Sequence, residues 1–225
     1  LALEAFKQRD PNLVIRQDVE DGQPVERGTV IFFLNGNAHA LLSAERVALN
    51  FMQRLSGIAS LTAQYVAAVE GTGAKILDTR KTTPGWRTLE KYAVRCGGGM
   101  NHRMTLSHAV LIKDNHIAAL DGDIKLAVQR ARDIAPEGMR IEVECDGIDQ
   151  VAQALKANAD IILLDNMSLS EMREAVRIVA GRAVVEASGG VNLQTVRGIA
   201  ETGVDWISVG ALTHSPAALD LALDF

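Results

Sequence analysis

From residue 74 onward the sequence repeats one pattern: a short apolar, β-prone run, a polar turn, then an amphipathic stretch of helical length. Strands are expected at residues 74–78, 109–113, 140–145, 160–165, 182–187 and 205–209, with helical stretches such as 123–135 and 169–180 between them. The run from Asp160 to Asp165 is almost wholly apolar, as in strands covered on both faces. Repeated strand–helix units of this kind leave few topologies. Parallel strands with crossover helices form either a complete or partial (β/α) barrel, or an open doubly wound sheet. No glycine-rich fingerprint follows the first strand, which weighs against the open dinucleotide-binding version. The expectation is therefore α/β: a (β/α) barrel, complete or partial, of about six parallel strands, preceded by a small N-terminal β-containing domain.

Residues 12–42 read differently. Turn signals at Asp21-Gly22, Arg27-Gly28 and Asn35-Gly36-Asn37 alternate with β-prone runs, so short strands are expected there. From Ser43, a candidate helix cap, Val47, Phe51, Leu55, Ile58, Leu61, Tyr65 and Val69 recur at helical spacing. Ser56 and Gly57 are expected to interrupt this helix and to let another backbone approach. The expected division is residues 1–73 for the N-terminal domain with its long connecting helix and 74–214 for the barrel. Residues 215–225 form a C-terminal segment returning toward the N-terminal domain. The chain begins at Leu rather than Met, so a start other than the native one is expected.

Composition narrows the function. A net charge of -5 argues against a nucleic-acid surface, so any anion must be bound by local cations against the overall field. No apolar run approaches the ~20 residues of a membrane-spanning helix. Cys96 and Cys145 are too few and too far apart for a disulfide framework or a zinc site. They are expected to be two buried free thiols in a reducing cytoplasm.

In a parallel barrel, functional groups collect where strands end at the carboxyl face. The six strand ends read, in order, Arg80-Lys81, Lys113, Glu144, Asp165, Ser188-Gly189-Gly190 and Gly210. Gly189 and Gly190 precede a helix expected near Asn192, so exposed backbone N–H groups and a helix N-terminus would face a phosphate. Gly210, with Ala211 and His214 close by, repeats that arrangement. Glu144 and Asp165, on neighbouring strands, suit either Mg²⁺ or ribose hydroxyls. Arg80, Lys81 and Lys113 suit either carboxylates or a pyrophosphate, arginine as a fork and lysine as a point charge. Between the first two strand ends, Gly97 to Gly99 break any helix, giving a flexible loop or a tight turn, and His102-Arg103 follow as candidate anion ligands. His116 reads as a helix cap, and no zinc-ligand spacing is present.

Several stretches together carry a resemblance: ERVALNFMQRLSGIAS, ILDTRKTTPGWRTLEKYAVRCGGGMNHR, VLIKDNH, IEVE, IILLDN, EASGGV and ISVGALTHS. In this order, over essentially the whole chain, they resemble the quinolinate phosphoribosyltransferases, the decarboxylating nicotinate-nucleotide pyrophosphorylases. The resemblance implies transfer of a phosphoribosyl group from phosphoribosyl pyrophosphate to quinolinate, giving nicotinate mononucleotide, pyrophosphate and CO₂ in de novo NAD biosynthesis. It implies an open (β/α) barrel preceded by a small mixed α/β domain, a chain lacking N-terminal residues usual in the family, Mg²⁺ as cofactor and a homodimer with shared active sites; the expected compartment is cytoplasmic. Arg80, His102, Arg103 and Lys113, with Thr79 beside them, match quinolinate-binding positions, and Arg46 matches one supplied by the partner subunit. Lys81, Glu144 and Asp165 match the catalytic surroundings of phosphoribosyl pyrophosphate and its metal, which the two acids hold directly or indirectly. Ser188, Gly189, Gly190, Gly210 and His214 match its phosphate loops.

Thr83, Trp86, Thr105 and His108 depart from the family's commoner residues at non-ligand positions. The alternatives are a nicotinate-type or other phosphoribosyltransferase on the same fold, or a non-catalytic phosphosugar-binding barrel. A monocarboxylate would need fewer cations than this set supplies.

Overall fold

The computed structural model describes residues 1–225. Helix α1 (Ala2–Lys7) leads into strand β1 (Val14–Gln17), which pairs antiparallel with β2 (Phe32–Asn35). Phe6, Leu13 and Ala2 then pack on Leu41, Ala44 and Ala48 of the long helix α2 (Ala38–Ala68), forming a small core of their own. At ~1.5 Å per residue, this helix is long enough to serve two bodies. Farther along, Ile58 and Tyr65 belong to the larger core of the barrel.

Three local expectations change here. The helix starts at Ala38, not at Ser43. The Asn37 side chain accepts hydrogen bonds from the amides of His39 (2.9 Å) and Ala40 (3.3 Å), while the Ser43 hydroxyl donates back to the His39 carbonyl at 2.6 Å. The expected β region therefore stops at Asn35. Ser56 and Gly57 do not interrupt the helix, which is continuous through both. Gly57 is instead a crossing point, because a Cβ there would overlap the Ala217 carbonyl oxygen. The C-terminal segment is tied across α2 at this level. The Leu219 amide donates to the Gln53 carbonyl (2.9 Å), the Gln53 side chain donates to the Leu221 carbonyl (2.8 Å), and Arg54 donates to the Pro216 carbonyl (3.2 Å).

The remaining elements alternate. They are β3 (Lys75–Leu77), α3 (Arg87–Cys96), β4 (Val110–Ile112), α4 (Asp114–Ala118), α5 (Ile124–Ile134), β5 (Ile141–Cys145) and α6 (Ile148–Lys156). These are followed by β6 (Ile161–Asp165), α7 (Leu169–Val179), β7 (Val184–Ser188), α8 (Val196–Ala200), β8 (Trp206–Ser208) and α9 (Ala211–His214). All six expected strands are present, in one parallel sheet of order β3-β8-β7-β6-β5-β4. No ladder joins β3 to β4. Met100 alone bridges to the free edge of β3, its amide donating to the Ile76 carbonyl (2.8 Å) and its carbonyl accepting from the Asp78 amide (3.1 Å). The sheet is an open barrel.

Alternation along each strand separates two environments. Ile141, Val143, Cys145, Ile162, Leu164, Val185, Ala187 and Ile207 face the helices and join Val128, Val151, Ala175 and Val196 in the main core. The intervening residues face the barrel interior. Register places Glu144 opposite Leu163, Leu163 opposite Glu186, and Asp165 opposite Ser188. The outer layer is apolar and the interior carries carboxylates. No helix is long and apolar enough to cross a membrane. Both thiols are free, but only Cys145 is buried; Cys96, at the end of α3, is half-exposed.

Candidate active site

The strand ends expected to carry chemistry do gather at one rim, and sheet order decides their neighbours. Because β3 pairs with β8, the Arg80-Lys81 turn lies beside Gly210. A Cβ on Gly210 would lie 3.3 Å from Lys81 Cδ and 3.2 Å from His214 Nε2. The Thr213 hydroxyl donates to the Lys81 carbonyl at 2.7 Å. Lys81, Gly210 and His214 thus form one cluster. Thr79 belongs to the turn itself, its hydroxyl accepting from the Lys81 amide at 3.1 Å.

On the other side, Lys113 at the end of β4 forms an ion pair with Glu144 of β5 (2.6 Å). Asp165 accepts from the Asn166 side chain at 2.8 Å. Ser188 pairs across from Asp165, and Gly189 follows with φ +89°. A Cβ at Gly189 would overlap the Asn166 side chain, so only glycine fits against it. Gly190 has open space around it, and its φ of +60° is the feature that favours glycine. The helix expected near Asn192 begins later, at Val196. The Asn192 side chain instead accepts from the amides of Gln194 (2.9 Å) and Thr195 (3.0 Å), forming a turn before α8.

Arg80, Lys81 and Arg103 have no carboxylate partner, unlike Lys113. The one hydrogen bond from the Arg103 side chain goes to the Ala109 carbonyl (3.0 Å). Burial, and then the nearby Arg80 charge, make Arg103 harder to keep protonated than an ordinary guanidinium. An anion between them would relieve that repulsion. Arg46 stands apart. It is exposed on α2, and its one ionic contact is with its neighbour Glu45 at 3.9 Å.

The loop before β4 is built rather than loose. Gly97 closes α3 where a side chain would overlap the Ala59 carbonyl of α2, and Gly98 turns the chain with φ +84°. Asp78, fully buried, then accepts from the amide of His102 (2.8 Å), from the Asn101 side chain (2.6 Å) and from Lys91. Glu90, also fully buried, accepts from the Thr83 amide (3.1 Å) and hydroxyl (2.8 Å), fixing the turn that carries Arg80 and Lys81. Trp86 stacks on Phe51 at 4.9 Å. The departures at Thr83 and Trp86 are thereby accounted for. His116 caps α4 as expected, its Nδ1 accepting from the Lys113 amide at 2.9 Å.

Two acids escaped the sequence reading. Glu142 and Glu186 are fully buried inside the barrel, with His102 Nε2 at 3.3 Å and 3.4 Å from them. Glu186 also accepts from the Ser208 hydroxyl, whereas neither oxygen of Glu142 has a hydrogen-bond partner of good geometry. Burial holds the Glu142 carboxyl above the usual carboxylate range. Burial opposes charging of His102, but the two glutamates outweigh it and push the ring up to about 10. The Arg103 amide pulls the other way, since it donates at 2.8 Å to the Nδ1 lone pair of a neutral ring. Both influences agree on Nε2, which bears hydrogen in either form. The available signal was periodicity: in Ile141-Glu142-Val143-Glu144, alternate residues share a face, so both glutamates point inward.

Comparison with known proteins gives this arrangement a lineage. The quinolinate phosphoribosyl transferase C-terminal domain matches residues 58–224 and the corresponding N-terminal domain matches residues 1–56. A probable nicotinate-nucleotide pyrophosphorylase (carboxylating) of Bacillus subtilis is 46% identical over 221 residues, covering 98% of this chain and 76% of the relative. A quinolinate phosphoribosyltransferase (decarboxylating) of Nicotiana glauca is 44% identical, covering 99% of this chain and 68% of the relative. The crystal structure of nicotinate-nucleotide pyrophosphorylase from Ehrlichia chaffeensis superposes with a TM-score of 0.94 at 48% identity, covering 99% of this chain and 80% of that one. With both domain signatures spanning its length, the chain belongs to the quinolinate phosphoribosyl transferase family.

Proposed function

We propose that this chain transfers the phosphoribosyl group of phosphoribosyl pyrophosphate to quinolinate, releasing pyrophosphate and CO₂ and forming nicotinate mononucleotide for NAD biosynthesis. The observation that carries this reading is the set of unpaired cations Arg80, Lys81 and Arg103 at the rim that also presents Glu144 and Asp165. Two polyanionic substrates must be held together there, and local cations offset the net negative charge of the chain.

In this reading Arg80, Arg103 and Lys113 hold the quinolinate carboxylates, with Thr79 and His102 beside them. Lys113 exchanges Glu144 for substrate, which frees that carboxylate to face the ribose. Arg46 of the partner subunit completes the clamp in a homodimer. Lys81 and His214, with the backbone at Ser188, Gly189, Gly190 and Gly210, hold the phosphates. The pyridine nitrogen forms a bond to ribose C1 as the C1–oxygen bond to pyrophosphate breaks. Glu144 and Asp165 stabilise the positive charge that develops on the ribose. The carbon–carbon bond to the 2-carboxylate then breaks, its electron pair is held by the pyridinium ring, and a proton replaces CO₂.

Mg²⁺ fits the site chemically, because Glu144 and Asp165 offer hard oxygen donors and Mg²⁺ is commonly held by one or two carboxylates together with substrate phosphates. Bound there, it would neutralise charge on the departing pyrophosphate. The proposed compartment is the cytoplasm, a reading that the free thiols and small soluble substrates support. The test is CO₂ release from carboxyl-labelled quinolinate with phosphoribosyl pyrophosphate and Mg²⁺. Release supports the reading. Pyrophosphate formation from nicotinate without CO₂, or binding without turnover, overturns it.

A further inference from the structure

We propose that Glu142 and Glu186 are positioning residues that hold His102 through the hydrogen on Nε2, fixing the ring whose Nδ1 accepts from the Arg103 amide and so setting Arg103 at the quinolinate site. This rests on the reading of the site given above, but its first test does not need turnover. Both carboxylates are fully buried, both lie within 3.4 Å of the same nitrogen, and they come from strands on opposite sides of β6. The Glu142 oxygens have no hydrogen-bond partner of good geometry, and His102, with the Arg103 charge behind it, compensates their burial. An unpaired buried carboxylate is costly enough that a fold keeps one only where something faces it.

The backbone is fixed as firmly as the ring. The His102 amide donates to Asp78 (2.8 Å) and its carbonyl accepts from Lys91 (2.9 Å), so loop, ring and proton position are set by four elements. The groups facing His102 are Glu142 from β5, Glu186 from β7 with Ser208 of β8 behind it, and Asp78 and Lys91 on its backbone. Arg103 is next in sequence, with Arg80 beyond it. With its Nε2 lone pair occupied by hydrogen, His102 is neither a general base nor a metal ligand through that atom. With Nδ1 accepting from the Arg103 amide as well, its work is to hold the Arg103 backbone so that the guanidinium can face a negatively charged group on the substrate.

The experiment uses the full-length chain with ¹⁵N-labelled histidine. In wild type, the His102 Nε2 resonance should stay in the protonated range from about pH 6 to about pH 9. In E142Q/E186Q the carboxylates facing Nε2 are gone and only the Arg103 amide on Nδ1 orders the ring, so the Nε2 resonance should shift and broaden by exchange within that range. The kinetic counterpart is a rise of about tenfold in KM for quinolinate in E142Q, with KM for phosphoribosyl pyrophosphate unchanged. In an H102Q background the same E142Q substitution should raise KM no further, because the interaction it removes is already absent.

If the double variant does not fold, the single E142Q, which leaves the Glu186–Ser208 bond in place, carries both measurements. Three results would overturn the proposal: a wild-type Nε2 resonance and KM in the variants, an undiminished E142Q effect without His102, or a stoichiometric divalent cation held by the three side chains. A wild-type enzyme inactive on quinolinate but with the expected resonances would sink the functional reading and leave the positioning role standing.

Discussion

Asp78 and Lys91 form an ion pair in which neither side chain is exposed at all. Asp78 is the first residue after β3, and its buried charge there anchors the chain. Burial raises the Asp78 carboxyl above its usual range and lowers the Lys91 ammonium below its own, so each depends on the other. Together they grip both backbone polar groups of His102.

Removing one partner should therefore be worse than removing both. K91M leaves a buried carboxylate facing only the Asn101 and His102 donors, and should cost about 3–5 kcal/mol in urea unfolding. D78N/K91M should recover part of that loss. Quinolinate KM should rise in K91M, because the loop carrying His102 and Arg103 loosens. A K91M protein as stable as wild type would show that the pair does not organise the loop.

Part of this architecture was legible in the sequence, and the part that was not has physical reasons. Six strand ends could be listed because parallel strands point their carboxyl ends the same way, whatever their order. That β3 lies against β8 could not be read, since pairing partners are set by barrel curvature rather than by local sequence. Hence Lys81 was known as a strand-end cation, but not as the neighbour of Gly210 and His214. Glu142 was hidden by its type. A glutamate in a strand reads as solvent-facing unless the whole face is known to be enclosed. The start of α2 was misplaced for a related reason: Asn35-Gly36-Asn37 signals a turn, and Asn37 is both the end of that turn and the cap of the helix.

Gly57 makes a prediction about the C-terminal segment. G57A would force the Ala217 carbonyl away from α2, costing about 1–3 kcal/mol of overpacking. For a chain of this size each kcal/mol lowers Tm by about 2–4 °C. The local readout is sharper: the Leu219 amide, which donates to Gln53, should exchange with solvent faster in G57A. Unchanged exchange at Leu219 would mean that the segment does not rest on that glycine.

The two thiols should behave differently. Burial, reinforced by Asp146 and Glu144, pushes the Cys145 thiol up to about 12, so it stays protonated through the usual labelling range. Its alkylation in the native protein should remain negligible from about pH 7 to about pH 9 and appear only on unfolding. Peptide mapping after iodoacetamide treatment distinguishes it from the half-exposed Cys96. Native labelling of Cys145 that climbs with pH like a free thiol would contradict its place in the outer core.

The exposed position of Arg46 yields the most decisive prediction about assembly. Its side chain is 72% exposed and pairs weakly with Glu45, whereas Arg80 lies at the rim of its own barrel. If sites are shared, a site combines Arg80 of one subunit with Arg46 of the other. R46A and R80A homodimers should then both be nearly inactive, because each lacks one cation in every site. In a mixture that has exchanged subunits, about half of the dimers are hybrids. Each hybrid has one site with both substitutions and one with neither, so activity should return to about a quarter of wild type. The recovery should appear at the rate of subunit exchange, followed by CO₂ release after mixing. A mixture that stays inactive while light scattering shows exchanged dimers would place Arg46 outside the partner's site and restrict the substrate clamp to the residues of a single barrel.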